Sequence, residues 1–225
     1  MAASIDIVEK IPKFPAPESI PEPEVDEWLT EEEQLTVLQN LPEYDRPIFD
    51  FLFLTGCRVN EATALQRKDT DWRRNVTVIR HTIRRDKTLG PVKNKKKRVV
   101  PHFEELIDCL KALPNITPYR FINKWGRRYH AEYLRDTFRA ACEKAGLEPI
   151  KLKNATRHSF GMGLLRRGHD IWQVSKVMNH STIKMTEHYA GMLAEEMKDM
   201  YGRRSSSQNL AKRKNMTSQI SDFKR

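Results

Sequence analysis

The sequence predicts a mainly α fold with one small antiparallel β-sheet inserted, the α+β class. Three observations predict it. Apolar residues recur at helical spacing on both sides of a central stretch. Within that stretch, from Trp72 to Pro101, the period shortens and β-branched residues gather. Turn residues mark the changeovers, and no internal repeat is evident.

The elements follow in order. Residues 10–28 carry Pro12, Pro15, Pro17, Pro21 and Pro23 among acidic residues. Prolines this dense block helix formation, so the segment reads as an extended, solvated strap. Order begins at Trp28-Leu29-Thr30, where Thr30 and Glu33 have capping-box spacing and Glu31 and Glu32 complete an acidic first turn. Leu35, Leu38 and Leu41 form a helical stripe that Pro42 ends. A second apolar segment, Ile48 to Leu54, closes at Thr55-Gly56, and Val59 to Leu65 reads as a short third helix.

After the turn residue Asn75, the residues Val76, Thr77, Val78, Ile79, Thr82 and Ile83 are all β-branched. Gly90-Pro91 is a second turn, and Arg98-Val99-Val100-Pro101 a short strand stopped by proline. Together they predict a sheet of two or three strands. Helical patterns resume at 103–112, 118–125, 130–145, 158–168, 170–178 and 182–190. Residues 202–225 are rich in Ser, Lys and Arg, the composition of a disordered tail. The expected division is an arm over 1–27, a folded domain over 28–201 and a basic tail over 202–225.

With 31% charged residues and 39% hydrophobic ones among 225, the chain reads as soluble and globular. It contains no apolar run of the ~18–20 residues a membrane span needs. The start, MAASIDIVEKIPKF, shows no basic region followed by an apolar one, as a secretory signal would. Cys57, Cys109 and Cys142 are odd in number and far apart, which fits buried thiols in a reducing cytoplasm better than disulfides or a zinc site. The net charge of +10 is unevenly placed: residues 1–50 hold 3 basic and 13 acidic side chains, and residues 51–225 hold 37 and 17. A body this basic points to a polyanion, with nucleic acid the leading candidate.

Four groups could carry chemistry. Thr55-Gly56-Cys57-Arg58-Val59-Asn60-Glu61 sets a cation and a carboxylate three residues apart on one helical face. Pro91 to Arg98 packs Lys93, Lys95, Lys96, Lys97 and Arg98 into six residues, a run that can neutralise phosphates. Asn154-Ala155-Thr156-Arg157-His158-Ser159-Phe160 forms a third group. Asn179-His180, followed nine residues later by Tyr189, forms the fourth. Taken singly, each is what a surface ion pair, a solvated loop or a packed helix residue also gives.

Their order is more specific. Arg58, Lys93, Arg157, His180 and Tyr189, in a basic and mainly helical chain, resemble the catalytic domain of the tyrosine recombinases, the phage integrase family, over roughly residues 28–195. The resemblance includes the run from Thr55-Gly56 through Arg58, Glu61 and Leu65, a Lys-bearing hairpin ending in Arg98-x-Val100-Pro101, and an Arg-His-Ser-Phe block at 157–160. It implies a site-specific DNA recombinase or integrase that acts on duplex DNA without metal, ATP or other cofactor. Tyr189 would attack a phosphodiester, leaving a 3′-phosphotyrosine and a free 5′-hydroxyl. Arg58 and Arg157 would clamp the non-bridging oxygens, and Lys93, with Lys95 and Lys96 as neighbouring alternatives, would protonate the leaving oxygen. His180 would donate to the same phosphate, Glu61 would support Arg58, and Lys95, Lys96, Lys97 and Arg98 would hold DNA. The active form would be a homotetramer on paired sites.

Two departures from the family pattern accompany the resemblance. Asn154 stands where the family usually has a histidine, and an amide cannot accept a proton from Tyr189 near neutral pH. The amino end is a Pro-rich acidic strap where the family carries a helical DNA-clasping domain, so a truncated product or an excised catalytic domain is expected. Two alternatives stay open: a catalytically impaired DNA-binding regulator, and a type IB topoisomerase-like relaxing activity.

Overall fold

The computed structural model describes residues 28–180 apart from Lys93 and Asn94. The expected tail, the helix at 182–190 and Tyr189 lie outside the described residues. The first helix, α1 (Glu31–Gln39), opens with the expected capping box. Thr30 Oγ1 accepts from the Glu33 N–H at 3.2 Å, and the Glu33 carboxylate accepts from the Thr30 N–H at 2.8 Å.

The centre of the fold is α2 (Arg46–Thr55), apolar almost all round, with Ile48, Phe49, Phe51, Leu52 and Phe53 buried. It stops at Gly56, whose φ of +59° suits glycine. A side chain there is excluded twice over, because a Cβ would lie 2.5 Å from the Phe160 ring. The chain then enters the short α3 (Val59–Ala62).

Five strands follow: β1 (Thr70–Asp71), β2 (Val76–Ile79), β3 (His81–Ile83), β4 (Leu89–Pro91) and β5 (Arg98–Pro101). They form two sheets where the sequence predicted one. β1, β2 and β5 make an antiparallel sheet in that order, with Thr77 opposite Val100 and Ile79 opposite Arg98. β3 and β4 make a separate hairpin. The change of partner falls at Arg80, whose guanidinium is held by buried Asp69 at 2.9 Å.

The carboxyl half is helical: α4 (Glu104–Lys111), α5 (Ala131–Lys144), α6 (Ser159–Arg166) and α7 (Ile171–Val177). The helix expected at 118–125 is not formed. Its backbone is satisfied elsewhere: the Arg67 N–H donates to Pro118 O at 2.9 Å, and the Arg120 N–H to Leu65 O at 2.8 Å. The Asn123 side chain then accepts from the Trp125 and Arg127 N–H groups, a local turn that competes with helix. α6 is entered through a wider π-turn, Asn154–His158.

The main core joins α2 to α4, α5 and the sheet, with Phe49, Phe51, Phe53, Phe121 and Phe138 in ring contact. A smaller core of Met162, Leu165, Val174 and Met178 joins α6 to α7. The Leu29 N–H donates to Ser159 Oγ at 2.8 Å and ties the start of the described chain to α6. Among the described residues, no helix is long and apolar enough to cross a membrane.

Candidate active site

Three separate stretches of chain meet where α2 ends. Arg58 sits at the N-cap of α3 in extended conformation. Glu61, one turn on, accepts from the Arg58 N–H at 3.0 Å and from its guanidinium at 2.9 Å. The Glu61 side chain is 7% exposed and that of Arg58 is 41% exposed, so the carboxylate grips the arginine from beneath and leaves its outer edge facing solvent.

Arg157 is the junction of the three stretches. It is 3% exposed and lies on the π-turn, a helix defect that recurs at functional sites. Nη1 donates to Gly56 O at 2.8 Å and Nη2 to Met178 O at 2.6 Å. One guanidinium therefore fixes the turn before Arg58 and the turn before His180 relative to each other. His180 follows α7, its N–H bonded to Ser175 O at 3.0 Å, and its ring is buried.

Arg98 corrects one expectation. Expected to hold DNA, it is buried and donates through Nη2 to Thr55 O, with its guanidinium 6.0 Å from the Phe160 ring. The β2–β5 register turns its side chain inward, so it anchors β5 to the end of α2. Lys95, Lys96 and Lys97 are exposed, as a phosphate-facing loop requires. Lys93 and Tyr189 lie outside the described residues. Asn154 opens the π-turn three residues before Arg157 and is half-buried.

One contact was missed in the sequence reading. Asn179 Nδ2 donates to Lys96 O at 2.9 Å and fastens the lysine loop to the His180 turn. Asn179 has φ +52°, and an asparagine that directly follows a short helix is a sequence signal for that conformation.

The electrostatics follow from the residue count. Arg58, Arg98 and Arg157 act on His180, and Arg98 and Arg157 on Cys57, where Glu61 opposes them. Burial, then Arg157 and Arg58, and after them His158 and Arg98, pull the His180 pKa down to about 4. Burial first, then Glu61, pushes the Cys57 thiol up to about 12, which leaves it inert. A cleft of about 740 Å³ opens beside Arg58 and Arg157 and extends to Asn60, Arg139, Lys151 and Lys153. Among the described residues, no group of three or more His, Cys, Asp and Glu side chains is gathered to hold a metal ion.

The His180 shift carries a stability prediction. Its folded pKa lies below the unfolded value of about 6.5, so the unfolded chain takes up the proton first as pH falls. Stability is fully present above about pH 6.5 and declines toward pH 4, by on the order of 1–2 kcal/mol after discounting for solvent. Urea unfolding at pH 7.5, 5.5 and 4.5 checks this against His180→Gln. An identical pH slope in the variant would exclude His180 as the source.

The Phage integrase family matches residues 27–196. Tyrosine recombinase XerD of Bifidobacterium longum is 26% identical over 172 residues, covering 70% of this chain and 52% of that protein. Tyrosine recombinase XerA of Pyrococcus furiosus is 27% identical over 192 residues, covering 81% and 63%. The chain thus spans about half to two thirds of the length of these relatives. Among solved structures, the catalytic domain of bacteriophage HP1 integrase superposes with a TM-score of 0.54 at 24% identity, covering 80% of this chain and 96% of that domain. The Tn1549 transposon integrase in complex with circular intermediate DNA superposes with a TM-score of 0.61 at 20% identity, covering 80% and 68%. These likenesses bear out the mainly helical fold with its small antiparallel sheet.

Proposed function

The chain belongs to the phage integrase family of tyrosine recombinases, and from that premise we propose that it cleaves and rejoins duplex DNA through a 3′-phosphotyrosine. The catalytic domain spans residues 28–201, between a Pro-rich arm over 1–27 and a basic tail over 202–225. The observation that carries this reading is the pair of hydrogen bonds that Arg157 donates to Gly56 O and Met178 O, which brings Arg58, Arg157 and His180 to one place.

The chemistry follows from the residue types. Tyr189 attacks phosphorus and releases its phenolic proton to water, since Asn154 cannot take it. One P–O bond forms as the other breaks, and the 5′-oxygen leaves with a proton from Lys93. Arg58 and Arg157 hold the non-bridging oxygens as charge builds on the pentacoordinate phosphate. Neutral His180 adds a hydrogen bond, and the incoming phosphate offsets the cationic field that depresses its pKa. Glu61 keeps Arg58 in place. Because the phosphotyrosyl bond keeps the energy of the broken bond, a 5′-hydroxyl rejoins it without ATP. Lys95, Lys96 and Lys97 neutralise flanking phosphates. The substrate is paired duplex sites held by a homotetramer, in the cytoplasm.

The test is a nicked suicide duplex carrying a family-type site, on which cleavage traps a covalent protein–DNA adduct. Wild-type protein is expected to form it. Absence of adduct with retained binding would favour the second reading, a DNA-binding regulator with impaired catalysis, which the presence of Asn154 supports. Asn154→His supplies the missing acceptor and is expected to raise the single-turnover cleavage rate about tenfold or more. An unchanged or lower rate removes the base deficit from the mechanism. Relaxation of supercoiled DNA by unpaired protein would instead indicate topoisomerase-like action.

A further inference from the structure

A second cationic cluster lies away from the Arg157 junction, beside the β1–β2–β5 sheet. Gln66 bridges Tyr119, which sets Leu65 opposite Arg120 and Arg67 opposite Pro118. Arg67 opens a short 3-10 turn, Arg67–Asp69, and lies close enough to Arg120 that, after burial, its charge lowers the Arg120 pKa. Like charges this close repel unless something stands between them.

Nothing in the described chain does. Arg120 is 5% exposed, and its Nε and Nη2 are buried with no hydrogen-bond partner. Arg67 spends Nε on Thr117 O at 2.8 Å, while its Nη2 is likewise buried and unmatched. Among the described residues, no carboxylate pairs with either arginine. Asp69 is engaged by Arg80 and the Gln66 N–H, and Asp71 by Arg74 and two backbone amides. The Trp72 ring lies 5.4 Å from the Arg120 guanidinium and 5.2 Å from the His102 ring. His102 bonds Thr77 through Nε2, and its buried Nδ1 is unmatched as well.

Buried guanidinium N–H groups left without an acceptor are costly, as at Arg120 Nε and Nη2, and the partly buried Arg67 beside it adds a second positive charge. We infer that Arg67, Arg120, His102 and Trp72 form a site for a compact phosphate-type oxyanion. The charge balance selects the ligand class: a dianion offsets both guanidinium charges, whereas a carboxylate or a phosphodiester offsets one. Guanidinium forks match phosphate oxygens in geometry, and the indole supplies an apolar wall. Arg120 is too deep for the backbone of a duplex, so free phosphate or a terminal monoester is the source. The site is independent of the recombination chemistry proposed above.

The test uses the whole chain, with inorganic phosphate as probe and chloride at equal ionic strength as control. Phosphate about tenfold above its Kd is expected to raise the Tm by roughly 3–6 °C and to change Trp72 emission saturably. Arg120→Met should abolish both effects and be no less stable than wild type in chloride. A purely structural arginine would instead leave that variant destabilised in either salt. If Arg120→Met does not fold, Arg67→Met and Trp72→Phe carry the same comparison. Equal Tm in phosphate and chloride, or a phosphate shift that survives these arginine variants, would overturn the inference. An unphosphorylated duplex that gives the same Trp72 change would overturn the free-oxyanion source.

Discussion

Arg157→Lys is expected to cut the rate of adduct formation by about 10²–10³-fold and to destabilise the protein by about 1–3 kcal/mol. Both effects come from one geometric fact. The guanidinium fork reaches Gly56 O and Met178 O, which belong to segments 122 residues apart in the chain. A lysine ammonium is a single point donor and cannot span the two carbonyls while also facing a phosphate. At least one buried carbonyl is then left without a donor. Arg58→Lys is the control, because Arg58 is 41% exposed and, among the described residues, its guanidinium is held by Glu61. It should lose rate with less than about 1 kcal/mol of stability. Single-turnover adduct assays and urea unfolding on both variants separate the two losses. An Arg157→Lys rate within threefold of wild type would remove Arg157 from the phosphate clamp.

Tyr189→Phe is expected to abolish the covalent adduct while DNA binding stays within a few-fold of wild type. Phenylalanine keeps the ring and removes the only atom that can attack phosphorus. The readout is the suicide duplex resolved on a denaturing gel, beside a binding measurement at fixed salt. Any adduct that persists in this variant reassigns the nucleophile. Loss of adduct and binding together would mean that Tyr189 supports the DNA-facing surface. Since Tyr189 lies outside the described residues, its assignment rests on the order Arg58, Lys93, Arg157, His180, Tyr189 and on the nine-residue step from His180.

The residues that differ most between expectation and structure show what a linear reading captures. The capping box at Thr30 and Glu33, the glycine stop at Gly56 and the helix over Ala131–Lys144 depend on neighbours in the chain, and all formed as expected. The helix at 118–125 failed because its carbonyls and amides found partners on Leu65 and Arg67, more than fifty residues away. Arg98 belongs to a run of five cations and looked like its neighbours. The β2–β5 register alone turned it inward to Thr55 while Lys95, Lys96 and Lys97 stayed in solvent. The approach of Arg67 to Arg120 had no sequence signal, since the neighbouring Gln66–Tyr119 bridge is itself a tertiary event.

The uneven charge has a matching interpretation. Arg58, Arg157, Lys93 and the exposed lysines all belong to the strongly basic part of the chain after residue 50, and part of that charge is turned inward at Arg98, Arg120 and Arg157. By itself the sequence determined the mainly helical class, most helix limits and the order of the residues proposed to bind phosphate, because periodicity, caps and motif spacing are local. Only the tertiary structure decided which cations face solvent, which carbonyls hold Arg157 and which arginines face each other. Those outcomes depend on strand register and on buried polar groups finding partners across the fold, and spacing along a chain does not encode them.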